Sequence, residues 1–288
     1  MRYISGTEGV ELHWYPAPGK LNLFLHILGR RPDGYHDLQT VFRLIDRCDR
    51  VGIAHRQDGK IVFEGPFGDE NLCVRAASLL KAETGCAKGC ELALEKKLPI
   101  GGGLGGGSSD AATVLLVLNK VWDLKLANSE LREMGARLGA DVPVFVYGRN
   151  ALGEGIGERL TPVDLPPAWY LVLTPQVSVS TKETFKSALT RSTKRLKMSP
   201  FLSGQGTNDL EAAVVARYPE VAASLAWLKQ HRPQARMTGS GACVFAEFET
   251  EAEARALHSA ALQSDLPGGM HGFVARGLEQ HPLLDSTD

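Results

Sequence analysis

Residues 99–110 read PIGGGLGGGSSD, and six of the seven positions 101–107 are glycine. Glycine surrenders the most backbone entropy on folding, so such a density in one short loop asks for a chemical reason. The loop runs from a strand-like segment, CELALEKK at 90–97, into an apolar stretch with helical spacing from Ser108 to Trp122. A glycine chain entering a helix brings several N–H groups to the positive end of the helix dipole, and that arrangement binds phosphate. The hydroxyls of Ser108 and Ser109 at its mouth suit a phosphate oxygen or a phosphate-bound Mg²⁺. A flexible linker is the poorer reading, because linkers are not flanked by apolar elements. The Walker pattern fails, with Ser108 where its lysine belongs. Gly101, Gly103 and Gly106 satisfy G-x-G-x-x-G, but the acid that should end the next strand and hold a ribose is Asp123, at the end of a helix.

Other residues have the right chemistry but leave their roles open. In KLNLFLHIL (20–28), Leu21, Leu23, Leu25 and Ile27 alternate with Lys20, Asn22, Phe24 and His26, so a strand turns Lys20 and Asn22 to the same side. Asp141, in LGADVPVF, precedes Pro143; its spacing serves a helix N-cap and a carboxylate base equally well. Tyr35 and His36 follow a Pro32-Asp33-Gly34 turn, where surface aromatics are also ordinary. Ser180 and Glu183 have capping-box spacing for a short helix holding Thr181 and Phe185, whose plain roles are capping and core packing. Lys96 is either near the nucleotide or a solvated strand end.

Strand-like and helix-like segments alternate along the chain, which implies an α+β fold. VGIAH (51–55) and KIVFE (60–64), joined through Asp58-Gly59, read as a hairpin; Asn71 caps a helix over 72–84 that Gly85 closes, and a further helix spans 129–138. Pro162 and Pro166-Pro167 mark a boundary between domains 1–164 and 165–288. Beyond it come a strand at 169–175, helices at 208–217 and 219–230, a strand at 242–248, a helix capped by Thr250 and Glu253, and a strand at 271–278. That ending suggests a ferredoxin-like second domain, while the polar, basic segment 190–206 reads as a mobile loop. The 288 residues carry a formal net charge of −1, so no basic surplus points to nucleic acid or an anionic membrane. Five scattered cysteines, no apolar run of transmembrane length and no signal-peptide pattern imply a cytoplasmic protein with reduced thiols.

Taken together, the motifs resemble those of the GHMP kinase family. Pro99, Gly101, Gly103, Leu104, Gly105, Gly106, Gly107, Ser108 and Ser109 match its second signature, P-x-G-x-G-L-G-G-G-S-S; PAPGKLNLFL (16–25) resembles the first, with Gly19 where alanine is usual, and TGSGACVFAEF (238–248) the third. The resemblance implies two domains, an N-terminal ATP-binding domain and a C-terminal ferredoxin-like one, with the active site in the cleft between them. It implies phosphoryl transfer from ATP with Mg²⁺ as cofactor, the glycine loop with Gly102 and Lys96 lining the nucleotide. It also implies Asp141 as catalytic base, with Lys20 beside it as the second catalytic residue. The DGYH segment (33–36) separates this chain from mevalonate, homoserine and galactose kinases. By the same resemblance the partner is a small molecule, a cytidine diphosphate-linked sugar alcohol, its base held by Tyr35, His36 and Phe185, with Asn22 and Thr181 also contacting substrate. Another GHMP kinase, or a nucleotide-binding protein without catalysis, is the alternative.

Overall fold

The computed structural model describes residues 2–3, 11–63, 65, 68–187, 206–264 and 271–284; the expected loop 190–206 and the N-terminal extension therefore lie largely outside the described residues. A long hairpin dominates the first half. β2 (His13–Arg30) and β3 (His36–Arg56) pair antiparallel along almost their whole lengths after β1 (Arg2–Tyr3). The turn between them is set by the Asp33 carboxylate, which accepts the Tyr35 N–H at 3.0 Å, and by Gly34 at φ +88°. On its other edge β3 pairs with β5 (Gly89–Glu95) through 50–56 and with β6 (Ala151–Gly155) through 38–42; β4 (Ile61–Phe63) and β7 (Arg159–Pro162) complete a seven-stranded sheet. The hairpin expected between 51–55 and 60–64 is not formed. β5 occupies the edge of β3 that β4 would need, and β4 pairs parallel to the far side of β5 instead. The almost wholly buried GCELALE strand takes a neighbour on each side, as its composition demands.

Helices α1 (Leu72–Thr84), α2 (Gly106–Val121), α3 (Asn128–Leu138) and α4 (Val142–Tyr147) cover one side of this sheet. α1 begins and ends where its cap residues predict: Asn71 accepts the Cys73 N–H at 2.9 Å and Gly85 closes it at φ +67°. Small and branched side chains (Ala76, Ala77, Leu80, Ala111, Val114, Leu118) let α1 and α2 pack closely over Val51, Leu92 and Leu94.

The second half forms a four-stranded antiparallel sheet ordered β11-β8-β10-β9, from β8 (Trp169–Leu173), β9 (Arg236–Met237), β10 (Val244–Phe248) and β11 (Gly272–Arg276). Helices α5 (Thr181–Ser187), α6 (Glu211–Arg217), α7 (Pro219–His231) and α8 (Glu251–Leu262) accompany it, completing the α+β, ferredoxin-like half. No described helix is long and apolar enough to cross a membrane. The two sheets share an apolar seam in which Leu21, Leu23, Phe24, Val41 and Ile45 meet Tyr170, Val172, Phe245 and Phe273. Here the simple alternation of β2 breaks. A register shift between Asn22 and Phe24 puts Phe24 with Leu21 and Leu23, whereas Leu25 and Ile27 turn to the core of the second half.

Two glycine turns lock the halves together. Backbone N–H groups of Ala242 and Cys243 donate to the carbonyls of Gly101 (3.2 Å) and Gly102 (3.1 Å). At Gly103, φ is +77° and a Cβ would stand 2.3 Å from the Thr238 carbonyl oxygen. Farther off, His281 is fully buried; its N–H donates to the Gly148 carbonyl and its Nδ1 accepts from Leu283. Burial pushes this imidazole down to about 4.

Two expectations follow. Gly103→Ala loses at least about 1–2 kcal/mol through its left-handed backbone alone, whereas Gly107→Ala, where the nearest atom to a new Cβ is 3.5 Å away, shifts stability by no more than about 1 kcal/mol in the favourable direction; urea unfolding of the two variants checks the contrast. Because the His281 pKa is lower folded than unfolded, its contribution is complete above about 6.5 and is lost as pH falls towards about 4. That loss is about 3 kcal/mol in all, and His281→Asn, which keeps an acceptor for Leu283, flattens the unfolding free energy over that range.

Candidate active site

A cavity of about 510 Å³ opens where the glycine loop, β2, α4, α5 and the 238–241 turn meet. Gly101, Gly103 and Gly105 all have positive φ, and Gly105, at φ +71°, is the N-cap of α2. The first N–H groups of α2 thus face the cavity with no intrahelical partner, at the positive end of a 16-residue helix. Ser108 lines the cavity. Ser109 does not: it is fully buried, and the 3.6-residue period turns it inward from its neighbour.

At the floor, Lys20 is 2% exposed and its ammonium faces three oxygens: Asn22 Oδ1 at 2.6 Å, Gly103 O at 2.9 Å and Asp141 Oδ2 at 3.3 Å. Its own N–H donates to the Leu104 carbonyl, so main chain and side chain both fasten β2 to the loop. Asp141 stands at the N-cap position of α4 but caps nothing with its side chain; the carboxylate turns to Lys20 and stays 35% exposed towards the cavity. The two readings left open by its spacing are therefore not equal in the fold.

Lys96 also lines the cavity, yet it is no solvated strand end. Its ammonium lies between the buried carboxylates of Asp49 and Asp110, the latter at 2.7 Å. Burial alone would lower the Lys96 pKa, but the two carboxylates outweigh it and the net shift is upward. Asp110 is raised by burial and by Asp49 against the pull of Lys96. The second Asp49 oxygen accepts the N–H groups of Lys97 and Leu98, fixing the approach to Pro99 and the loop.

Thr181 and Ser240 also line the cavity, their hydroxyls 2.8 Å apart, and Phe185 lines the wall. The His36 ring stacks on Phe185, with centroids 5.6 Å apart and planes at 30°. Burial, aided by Arg30, keeps that imidazole pKa below its ordinary value. Tyr35 is 59% exposed at the hairpin tip, and neither it nor His36 is brought to the cavity wall.

Several residues of the site went unread in the sequence. Asn208 donates to the carbonyls of Met237 and Gly239 and so holds the third glycine turn against β2. Thr238 accepts the Asn22 N–H, and Thr40 the Asn22 side-chain amide. Asn208 and Thr40 have no motif of their own, and Thr238 opens the third signature without anything in its type to mark it. Asp110 ends the glycine-serine segment and Asp49 lies in the charged run DRCDR (46–50), and neither context marks a role.

The chain matches the model of the GHMP kinases N terminal domain over residues 71–149 and that of the GHMP kinases C terminal over 187–267. It is 56% identical over 276 residues to the 4-diphosphocytidyl-2-C-methyl-D-erythritol kinase of Thiobacillus denitrificans, covering 94% of this chain and 97% of that one. The enzyme of the same name from Nitrosospira multiformis is 56% identical over 280 residues, with 95% and 94% covered. A crystal structure of 4-(cytidine 5'-diphospho)-2C-methyl-D-erythritol kinase superposes with a TM-score of 0.81 at 34% identity, over 92% of this chain and 99% of that one. A glycine loop opening a helix N-terminus into the cavity, a lysine–aspartate pair beside it and near-full-length likeness agree: the chain belongs to the GHMP kinase family, in the branch of the 4-diphosphocytidyl-2-C-methyl-D-erythritol kinases.

Proposed function

We propose that the chain transfers the γ-phosphoryl group of ATP to the 2-hydroxyl of 4-diphosphocytidyl-2-C-methyl-D-erythritol, a step of the non-mevalonate route to isoprenoid precursors. The observation that carries the reading is the Lys20–Asp141 pair at 3.3 Å, in one cavity with the glycine loop and Phe185. The loop N–H groups and the α2 terminus hold the nucleotide phosphates, with Leu72, Leu94 and Pro99 offering apolar surface beside them. Asp141 takes the proton of the acceptor hydroxyl as its oxygen bonds to the γ-phosphorus, and the bond to the bridging oxygen breaks, releasing ADP. Because the three donors of Lys20 already face three acceptors, its work is to hold the Asp141 carboxylate in place.

Mg²⁺ supplies charge neutralisation on the phosphates when bound. The residues present suit it: Ser108 lines the cavity, and Asp110 Oδ1 is a buried oxygen with no hydrogen-bond partner, so both are hard donors beside the loop. Phe185 and His36 grip the cytosine, one by stacking and one at its edge, with Tyr35 closing over the exposed side; Asn22 and Thr181 lie on the path of the sugar alcohol and its diphosphate. The ATP-binding part corresponds to 1–164 and the remainder to 165–288, a division supported by the seven-stranded sheet ending at Pro162 and the second sheet beginning at Trp169. The cytoplasm suits an ATP-dependent step and five free thiols.

Steady-state kinetics with the cytidyl substrate, mevalonate and homoserine test the reading. Turnover is expected with the first alone, and Asp141→Asn lowers kcat by about 10²–10⁴-fold. Phe185→Ala raises KM for the cytidyl substrate by about one to two powers of ten while sparing ATP, a stack being worth about 1–3 kcal/mol. Full kcat in Asp141→Asn, or turnover of mevalonate in place of the cytidyl substrate, overturns it.

A further inference from the structure

We propose that Thr40 is a positioning residue for the Lys20–Asp141 pair, acting by fixing which end of the Asn22 amide faces the lysine ammonium. The inference rests on the catalytic reading above and adds a residue that no motif contains. Thr40 lies on β3, 1% exposed, and its hydroxyl has a single proton to give. That proton goes to the Phe24 carbonyl, which has none to return. The hydroxyl oxygen is then an acceptor only. The donor that meets it is Asn22 Nδ2, at 2.8 Å.

The consequence passes to the other end of the amide. With Nδ2 committed to Thr40, Oδ1 points at Lys20 Nζ, 2.6 Å away. The two ends of an asparagine amide are nearly the same size, so packing alone cannot choose between them; hydrogen-bond polarity does. The flipped amide would set an NH₂ group against the ammonium and an oxygen against the spent Thr40 oxygen, two mismatches at buried atoms. The main chain of Asn22 leaves only that freedom, since its N–H is already held by Thr238 Oγ1 at 2.9 Å. A run of fixed polarity thus leads from the Phe24 carbonyl through Thr40 and Asn22 to Lys20 and on to Asp141. Without the hydroxyl, the ammonium loses a guaranteed acceptor and its position beside Asp141 loosens.

Thr40→Val keeps shape and β-branching and removes the hydroxyl; Thr40→Ser keeps the hydroxyl. The valine variant is expected to lower kcat about 10- to 100-fold with KM for ATP changed less than about threefold, and the serine variant to stay within about threefold of the parent in both. In an Asn22→Ala background, Thr40→Val should change kcat by less than about twofold, because no amide remains to orient. The ¹⁵N signal of the Lys20 ammonium in lysine-labelled protein, assigned by its absence in Lys20→Ala, gives a reading independent of turnover: present in the parent and in Thr40→Ser, broadened away in Thr40→Val. Retention of both kcat and the ammonium signal in Thr40→Val overturns the proposal, as does a valine effect undiminished in the Asn22→Ala background. Should Asp141→Asn keep full kcat, the catalytic reading fails, and the ammonium signal still decides the role of Thr40.

Discussion

The structure hangs on a contact between two backbones. The loop at 101–103 and the turn at 238–243 come from opposite halves of the chain and touch closely enough for the turn to donate N–H···O bonds to the loop, with no room for a Cβ at Gly103. Only glycine permits that approach. Once it is made, the carbonyl of Gly103 is free to accept from Lys20, and the loop is held at the mouth of α2 rather than folding back over it. The apolar seam between the sheets supplies the bulk of the attraction, and the glycine contact sets the register in which the seam closes.

Buried charge is the second constraint. Two lysine ammonium groups, of Lys20 and Lys96, lie beside the phosphate loop, and each is surrounded by oxygens before any ligand arrives. A chain of net charge −1 has no global field with which to gather phosphates, and with three acids beside the two ammonium groups the local positive end is the α2 terminus. Holding them costs solvation, which is why Asp49, Asp110 and Asp141 are close by. The same arrangement separates two places: Lys96 with its acids lies at the approach to the loop, while Lys20 lies beside Asp141.

Much of this was legible in the sequence, for physical reasons that can be named. The glycine loop showed because glycine is conspicuous when clustered, and α1 because both of its caps are written in residue type. The Lys20–Asn22 face followed from strand period. What was hidden depended on partners far along the chain. The pairing of β4 with β5 is non-local and overrode a turn signal at Asp58-Gly59, and the register shift after Asn22 reversed the alternation of Leu25 and Ile27. Thr40 and Asn208 are ordinary polar residues whose importance lies wholly in what they face. The exposed place of Tyr35 and the stacking of His36 on Phe185 are matters of rotamer at a hairpin tip, which a motif cannot specify.

The central claim is that nucleotide and acceptor meet above the Lys20–Asp141 pair. A crystal structure with a non-hydrolysable ATP analogue and the cytidyl substrate bound together tests it most directly. The account predicts the 2-hydroxyl oxygen about 3–3.5 Å from the γ-phosphorus, in line with the bridging oxygen, and within about 2.6–3.2 Å of an Asp141 oxygen, with the triphosphate along residues 101–108. A ternary complex in which the acceptor hydroxyl points away from Asp141, or the triphosphate lies elsewhere than on the glycine loop, would contradict it.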